Sequence, residues 1–471
     1  MNKKIQLAGV AAATLLALGM TACGKPASTA SSTSSAPPAS SSTSTSTTST
    51  TAAPSGSVYF LNFKPEVADL YTQIAADYKA ATGVDVQVVT AASGTYEQTL
   101  TAEIAKAKPP TIFQINGPVG YANWKNYTAD LSNSWIYQHL ADKSLAVSTG
   151  SGVFGVPYVV EGYGIIYNNA IMKKYFALAD KKVSISSVDQ INSFDLLSQV
   201  ATDIQAHASA LGIKGAFAAT SLKPGEDWRW QTHLANVPFY YEFKDGNVDL
   251  TQGTPPTVTF KYGPNMQKLF DLYLNNSTTP KAQLGSKTVD DAMAEFALGQ
   301  AAMVQNGNWA WNQISGVQGN TVQAGDVGFL PLYIGAPGEA NQGICIGTEN
   351  YFAINSKASA ADQQASLDFL QWLFSSDKGK DYVNNQLKFI APFDTFTGSG
   401  PSDPLAQSVL SWMSKQGVTS VSWSAFQVFP SQDWKNGFGA DLLSYAQGKM
   451  DWAKVTSDVV SSWQTQAAAA K

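Results

Sequence analysis

The chain predicts an α/β fold, on three observations. Short apolar runs alternate with amphipathic stretches between Val58 and Ile115 in the order strand, helix, strand, helix, strand, which implies right-handed crossovers and a largely parallel sheet. The body from about Val58 to Lys471 exceeds 400 residues, which by the usual domain size means two or more globular units. Hydrophobic residues make up 44% of the sequence, ample for real cores. The formal net charge of −5 argues against a nucleic-acid partner, which calls for a basic face.

Ahead of that body, Met1-Asn2-Lys3-Lys4 carries two lysines, and Ile5 to Met20 is an uncharged, mostly apolar run. These are the n-region and h-region of a signal peptide, residues 1–22. The run is short for a membrane span, which takes about 20 apolar residues. Met20-Thr21-Ala22-Cys23 resembles the lipobox of bacterial lipoproteins, which implies a lipid on Cys23 and an extracytoplasmic protein held at the cell membrane. Residues 23–57 are then a tether: Gly24 to Ser57 is nearly all Ser, Thr, Ala and Pro with Lys25 its only charge, too polar to offset its ordering entropy by burial. With Cys23 given to lipid, Cys345 stands alone, and no internal disulfide can form.

Val58 to Phe63 reads as a buried strand. Val67, Leu70, Tyr71, Ile74 and Tyr78 recur at helical spacing, and Gly83 is placed to end that helix. Val84, Val86 and Val88 alternate as a second strand. Ser93 to Gln98 opens another helix, with Thr95 and Gln98 at capping-box spacing, Pro109-Pro110 closes it, and Thr111 to Ile115 is a third strand. Ligands of such sheets bind beyond the carboxyl ends of the strands, here Asn62-Phe63, the Ser93–Glu97 turn and Asn116-Gly117. Further on, 290–298, 360–374 and 452–463 read as helices, and 326–333 and 343–355 as extended.

The stretch from Phe296 to Trp311, with Gly299, Ala301-Ala302-Met303, Gly307 and Trp309, resembles the F-x-x-G-x-A-A-M-x-x-x-G-x-W segment of extracellular solute-binding proteins of ATP-binding-cassette sugar importers, the maltose-binding group. Gly83-Val84-Asp85-Val86, Pro110-Thr111-Ile112-Phe113 and the run Gly155 to Asn168 are similar to that group in order and spacing. The resemblance implies two α/β lobes joined by hinge strands, with a solute in the cleft between them. It implies crossings near Glu161, Gly347–Asn350 and Ile390–Phe393. One lobe is then 58–160 with 351–390, the other 161–350 with 391–471. It also implies a permease partner and a monomer.

Carried over residue by residue, the resemblance points to Asn62 and Phe63 at the first strand end, Tyr96 and Glu97 after the second, Asn116 after the third and Glu161 at the crossover. Trp309 matches the family's stacking tryptophan. Trp228 or Trp230 falls near one further aromatic site and Trp434 near another. The family often carries an aspartate near Asn116, and the chain departs from it there. Sugars present flat C–H faces and a rim of hydroxyls. Trp309, Trp228 and Tyr163 suit the faces, and Asn62, Asn116, Asn308, Glu97 and Glu161 suit the hydroxyls, with Glu349 a further contact. No cofactor or metal is expected: His139, His207 and His233 lack metal-ligand spacing. The alternatives are a secreted glycoside hydrolase, with Glu161 paired with Glu349 or Asp394 as acid and base, and a binding protein for a non-sugar solute.

Overall fold

Residues 56–398 and 400–469 are described by a computed structural model, so the signal peptide, Cys23 and most of the tether lie outside the described residues. Twelve strands are found among the described residues. In chain order they are β1 Val58–Asn62, β2 Val86–Thr90, β3 Ile112–Ile115, β4 Val147–Thr149, β5 Gly152–Pro157 and β6 Glu161–Asn168. Then come β7 Gly215–Phe217, β8 Ala301–Gly307, β9 Val327–Leu330, β10 Gln342–Gly347, β11 Tyr351–Ile354 and β12 Thr419–Ser422.

The opening βαβαβ run forms as its periodicity predicts. All five residues of β1 are buried, and β1 lies between β2 and β3, parallel to both. The helix Ala68–Thr82 buries Tyr71, Ile74, Ala75 and Tyr78 on one face and stops at Gly83, whose φ of 79° is the left-handed conformation that closes a helix. The helix Tyr96–Ile104 follows β2, but the expected capping box does not form. Instead the Thr95 hydroxyl turns back to the Ala92 carbonyl at 2.9 Å.

The first sheet runs β2-β1-β3-β11-β5-β4. It is mixed rather than largely parallel, because β11 inserts antiparallel between β3 and β5. The second sheet runs β12-β10-β6-β8-β7. Its hub is β6, whose first residues pair with β10, whose middle pairs with β8 and whose end pairs with β9. Two α/β lobes result, each with its own apolar core.

Strand β5 passes to β6 through Tyr158–Val160, and β10 to β11 through Thr348–Asn350. A third pass runs beside Val160, which bridges to Ile390. Val455, Val459 and Trp463 of the C-terminal helix Trp452–Ala469 pack into the core of the second lobe. No helix among the described residues is long and apolar enough to cross a membrane.

Candidate functional site

A cavity of about 600 Å³ lies between the lobes, within the roughly 300–1,000 Å³ typical of small-molecule sites. The first lobe contributes the segments just past its parallel strands: Phe63 and Lys64 after β1, the Ser93–Glu97 turn after β2, and Asn116 after β3. The second lobe contributes residues 225–228 and 231–233, Asp290, Trp309 and, among residues 426–436, Phe426, Gln427, Lys435 and Asn436, while Glu349 and Asn350 come from the crossing. The walls meet at the rim, where the Ser93 hydroxyl donates to the Gly225 carbonyl at 3.3 Å.

Aromatic rings form one face. Trp228 and Trp309 have centroids 6.1 Å apart, and His233 packs on both, at 5.2 and 5.4 Å. The glycine two residues before Trp309 is required sterically, since a Cβ at Gly307 would lie 2.1 Å from the indole. That absence lets the ring fold back over the end of β8. Gln231, Thr232 and His233 sit on a π-helical turn, Arg229–Leu234, a widened turn frequent at functional sites. Buried Arg229 fastens it to β8: its Nη1 donates to the Gln305 carbonyl at 2.7 Å, and Gln305 Nε2 donates back to the Arg229 carbonyl at 2.7 Å.

Below this face lies a buried ion pair. Lys64 Nζ donates to Glu161 Oε1 at 2.8 Å, with the two side chains 5% and 1% exposed, and lies 5.6 Å from the Trp309 ring centroid. Burial alone would pull the Lys64 pKa down, but Glu161, with Glu66 and Glu349 adding, more than offsets it and holds the ammonium charged. Burial pushes Glu349 up to about 7 and Asp227 up to about 6. It also raises Glu97, against a hydrogen bond from the Trp124 indole. His233 is pulled down to about 3 by burial first and nearby cations second, so its imidazole is neutral.

Of the residues singled out from the sequence, Phe63, Tyr96, Glu97, Asn116, Trp228, Trp309 and Glu349 line the cavity. The Tyr96 hydroxyl, however, is taken by backbone, accepting from Gln114 N–H at 2.6 Å. Asn116 Oδ1 is buried without a partner. The remaining five stand elsewhere. Asn62 is fully buried and clasps the turn after β1, accepting from Lys64 N–H at 3.1 Å and donating to the Lys64 carbonyl at 2.7 Å. Glu161 is engaged by Lys64, and Asn308 accepts from Gly162 N–H at 2.9 Å. Tyr163 is a layer behind, against His233 and Trp423.

Trp434 is a core residue, packed against Phe429 and Trp463 at 4.9 and 5.1 Å. On its helix, Gln432–Ala446, the neighbouring Lys435 faces the cavity instead. Trp230 is likewise core, donating to the Ser221 carbonyl at 2.8 Å. Asp394 is exposed and bonded to His139. The sequence reading missed Lys64, Glu66, Asp227, Gln231, His233 and Lys435. Only Glu226-Asp227, an acidic pair abutting Trp228, carried a local signal. No group of three or more His, Cys, Asp or Glu among the described residues is arranged to hold a metal ion.

Two lobes joined by three passes, with a walled cavity between them, define a protein built to enclose a small solute. In agreement, residues 73–406 match the family model of the bacterial extracellular solute-binding proteins, and the chain belongs to that family, which acts outside the cytoplasm. The fold is similar to that of RafE in complex with raffinose, at 17% identity and TM-score 0.67 over 87% of this chain and 99% of that one. It is similar to a chitin oligosaccharide binding protein, at 16% identity and TM-score 0.67 over 88% and 99%. It is also similar to maltose-bound MalE3 of T. maritima, at 13% identity and TM-score 0.62 over 87% and 99%. No curated protein matches by sequence.

Proposed function

We propose that the protein captures a carbohydrate, an oligosaccharide by preference, by closure of its lobes and delivers it to the permease of an ATP-binding-cassette importer. Lipid on Cys23 would hold it, as a monomer, at the outer face of the cell membrane. We assign 58–160 with 351–390 to one lobe and 161–350 with 391–471 to the other, in keeping with the sheet membership of their strands.

The observation that carries this reading is the pairing, in one interlobe cavity, of indole faces with free polar groups. Trp228 and Trp309 suit sugar rings, and the side-chain amides of Asn116, Gln231 and Asn350 on the same walls suit hydroxyls. Each such bond contributes about 0.5–1.5 kcal/mol net, so several reach the roughly −8 kcal/mol of micromolar affinity. A ligand touching both walls favours the closed state, because only there does it make both sets of contacts. The reading as a binder rather than a hydrolase is supported by Glu161, the postulated acid or base, being engaged by Lys64.

The test is thermal unfolding of the purified mature chain against mono- and oligosaccharides, amino acids and polyamines. Ligand at a hundred times its Kd adds about 2.7 kcal/mol of stability, a rise of a few degrees at this size. A rise with one sugar class and no released product supports capture. A rise with amino acids or polyamines alone, or breakdown of a sugar, overturns it.

A further inference from the structure

We propose that the captured carbohydrate is cationic: a sugar oligomer bearing free amino groups, whose ammonium charges meet the carboxylates of the cleft. This rests on the carbohydrate-capture reading and narrows it to a substrate class.

Six carboxylates line the cavity, those of Glu66, Glu97, Glu226, Asp227, Asp290 and Glu349, against two ammonium groups, Lys64 and Lys435. The lining thus carries four more acidic than basic side chains. Lys64 is already committed to Glu161 at 2.8 Å. Three of the carboxylates are held by neutral donors: Glu97 by the Trp124 indole N–H at 3.0 Å, Glu226 by Val289 N–H at 3.2 Å, and Asp290 by the Gln313 amide at 2.8 Å. Asp227 and Glu349 form no ion pair among the described residues. Closing the lobes over a neutral sugar would strip water from these charges with only Lys435 left to balance them, which is costly.

Two further features suit an ammonium group. His233 is 4% exposed, lines the cavity, and has neither ring nitrogen hydrogen-bonded. As a neutral imidazole it offers one acceptor and one donor and adds no positive charge to the cleft, while its two ring nitrogens are buried and Lys64, Lys435 and Arg229 act on it from nearby. The Trp228 indole beside it presents a π-face that attracts cations, whereas that of Trp309 already has Lys64 Nζ 5.6 Å from its centroid. Burial pushes Glu349 and Asp227 up, Glu349 even with Lys64 and Lys435 near it, and a bound cation would draw both back down.

The experiment is calorimetric titration of the mature chain with a glucosamine tetramer, its fully N-acetylated counterpart, a glucose tetramer and spermidine, at roughly 50 and 200 mM salt, between which screening strengthens. The glucosamine tetramer should bind at least about tenfold more tightly than either neutral tetramer and lose affinity with salt. Asp227→Asn and Glu349→Gln, each keeping the side-chain shape, should bring that ratio towards one. Equal or tighter binding of a neutral tetramer overturns this inference and leaves carbohydrate capture standing. Binding of spermidine with no tetramer bound overturns both.

Discussion

Replacing Glu161 by Gln tests the ion pair on which the cavity floor rests. The Lys64 ammonium and the Glu161 carboxylate are 2.8 Å apart, which at an effective dielectric constant of about 20 is roughly 6 kcal/mol of gross attraction. The introduced glutamine would keep a hydrogen bond to the ammonium, worth about 1.5–3 kcal/mol, and would no longer carry the desolvation cost of a charge. The expected loss is therefore about 3 kcal/mol, the low end of the cost of removing one member of a buried pair. Urea unfolding followed by far-ultraviolet circular dichroism reads it as a lowered midpoint. The variant Lys64→Met with Glu161→Leu, which removes both charges, should recover most of the loss, since apolar replacement of a whole buried pair is often neutral. A midpoint for Glu161→Gln within about 1 kcal/mol of the parent would refute the reasoning, and the lysine would then be solvated.

Trp309→Ala should weaken sugar binding about 30-fold or more, as loss of a central aromatic anchor does, with unfolding little changed; titration calorimetry checks it. Glu349→Gln should raise stability most above pH 7. There the folded carboxyl, displaced from 4.5 to about 7, is charged at full cost, at most about 3 kcal/mol by the shift. The gain should vanish as pH falls towards 4.5, where the carboxyl is protonated in the folded state and becomes so in the unfolded chain, and a gain independent of pH would exclude the cause given. Trp434→Ala should cost about 3–5 kcal/mol of stability while the folded fraction keeps its affinity, because the ring is in the core. Gly94→Val places a side chain against the Gly225 carbonyl, 2.8 Å from the added Cβ, and should obstruct closure. Its signature is weaker binding and no ligand-induced contraction in small-angle scattering.

The first βαβαβ run was legible because each element announces itself locally: four apolar or half-apolar residues in a row for β1, a helical stripe from Val67 to Tyr78, a glycine at its end. The mixed character of the sheet was not, since β11 reaches β3 from more than 200 residues away and no neighbouring residue marks its direction. At the site, strand ends gave the right segments but not the orientation of side chains within them. Asn62 and Phe63 are adjacent, yet one is spent on its own turn and the other faces the cavity. Trp434 and Lys435 divide the same way, against the intuition that tryptophan binds and lysine faces water. Lys64 was invisible because a lysine becomes a buried residue only through Glu161, 97 positions along the chain.

The π-helical turn Arg229–Leu234 has an evolutionary consequence. Such a turn holds one residue more than an α-turn closing the same loop, and here Gln231, Thr232 and His233 line the cavity while Arg229 ties the turn to β8. Deleting a single codon within it would shorten it towards regular helix and rotate His233 and Gln231 relative to the cavity, with no strand changed in sequence. A length change of one residue there therefore alters the lining of the cavity without altering any strand.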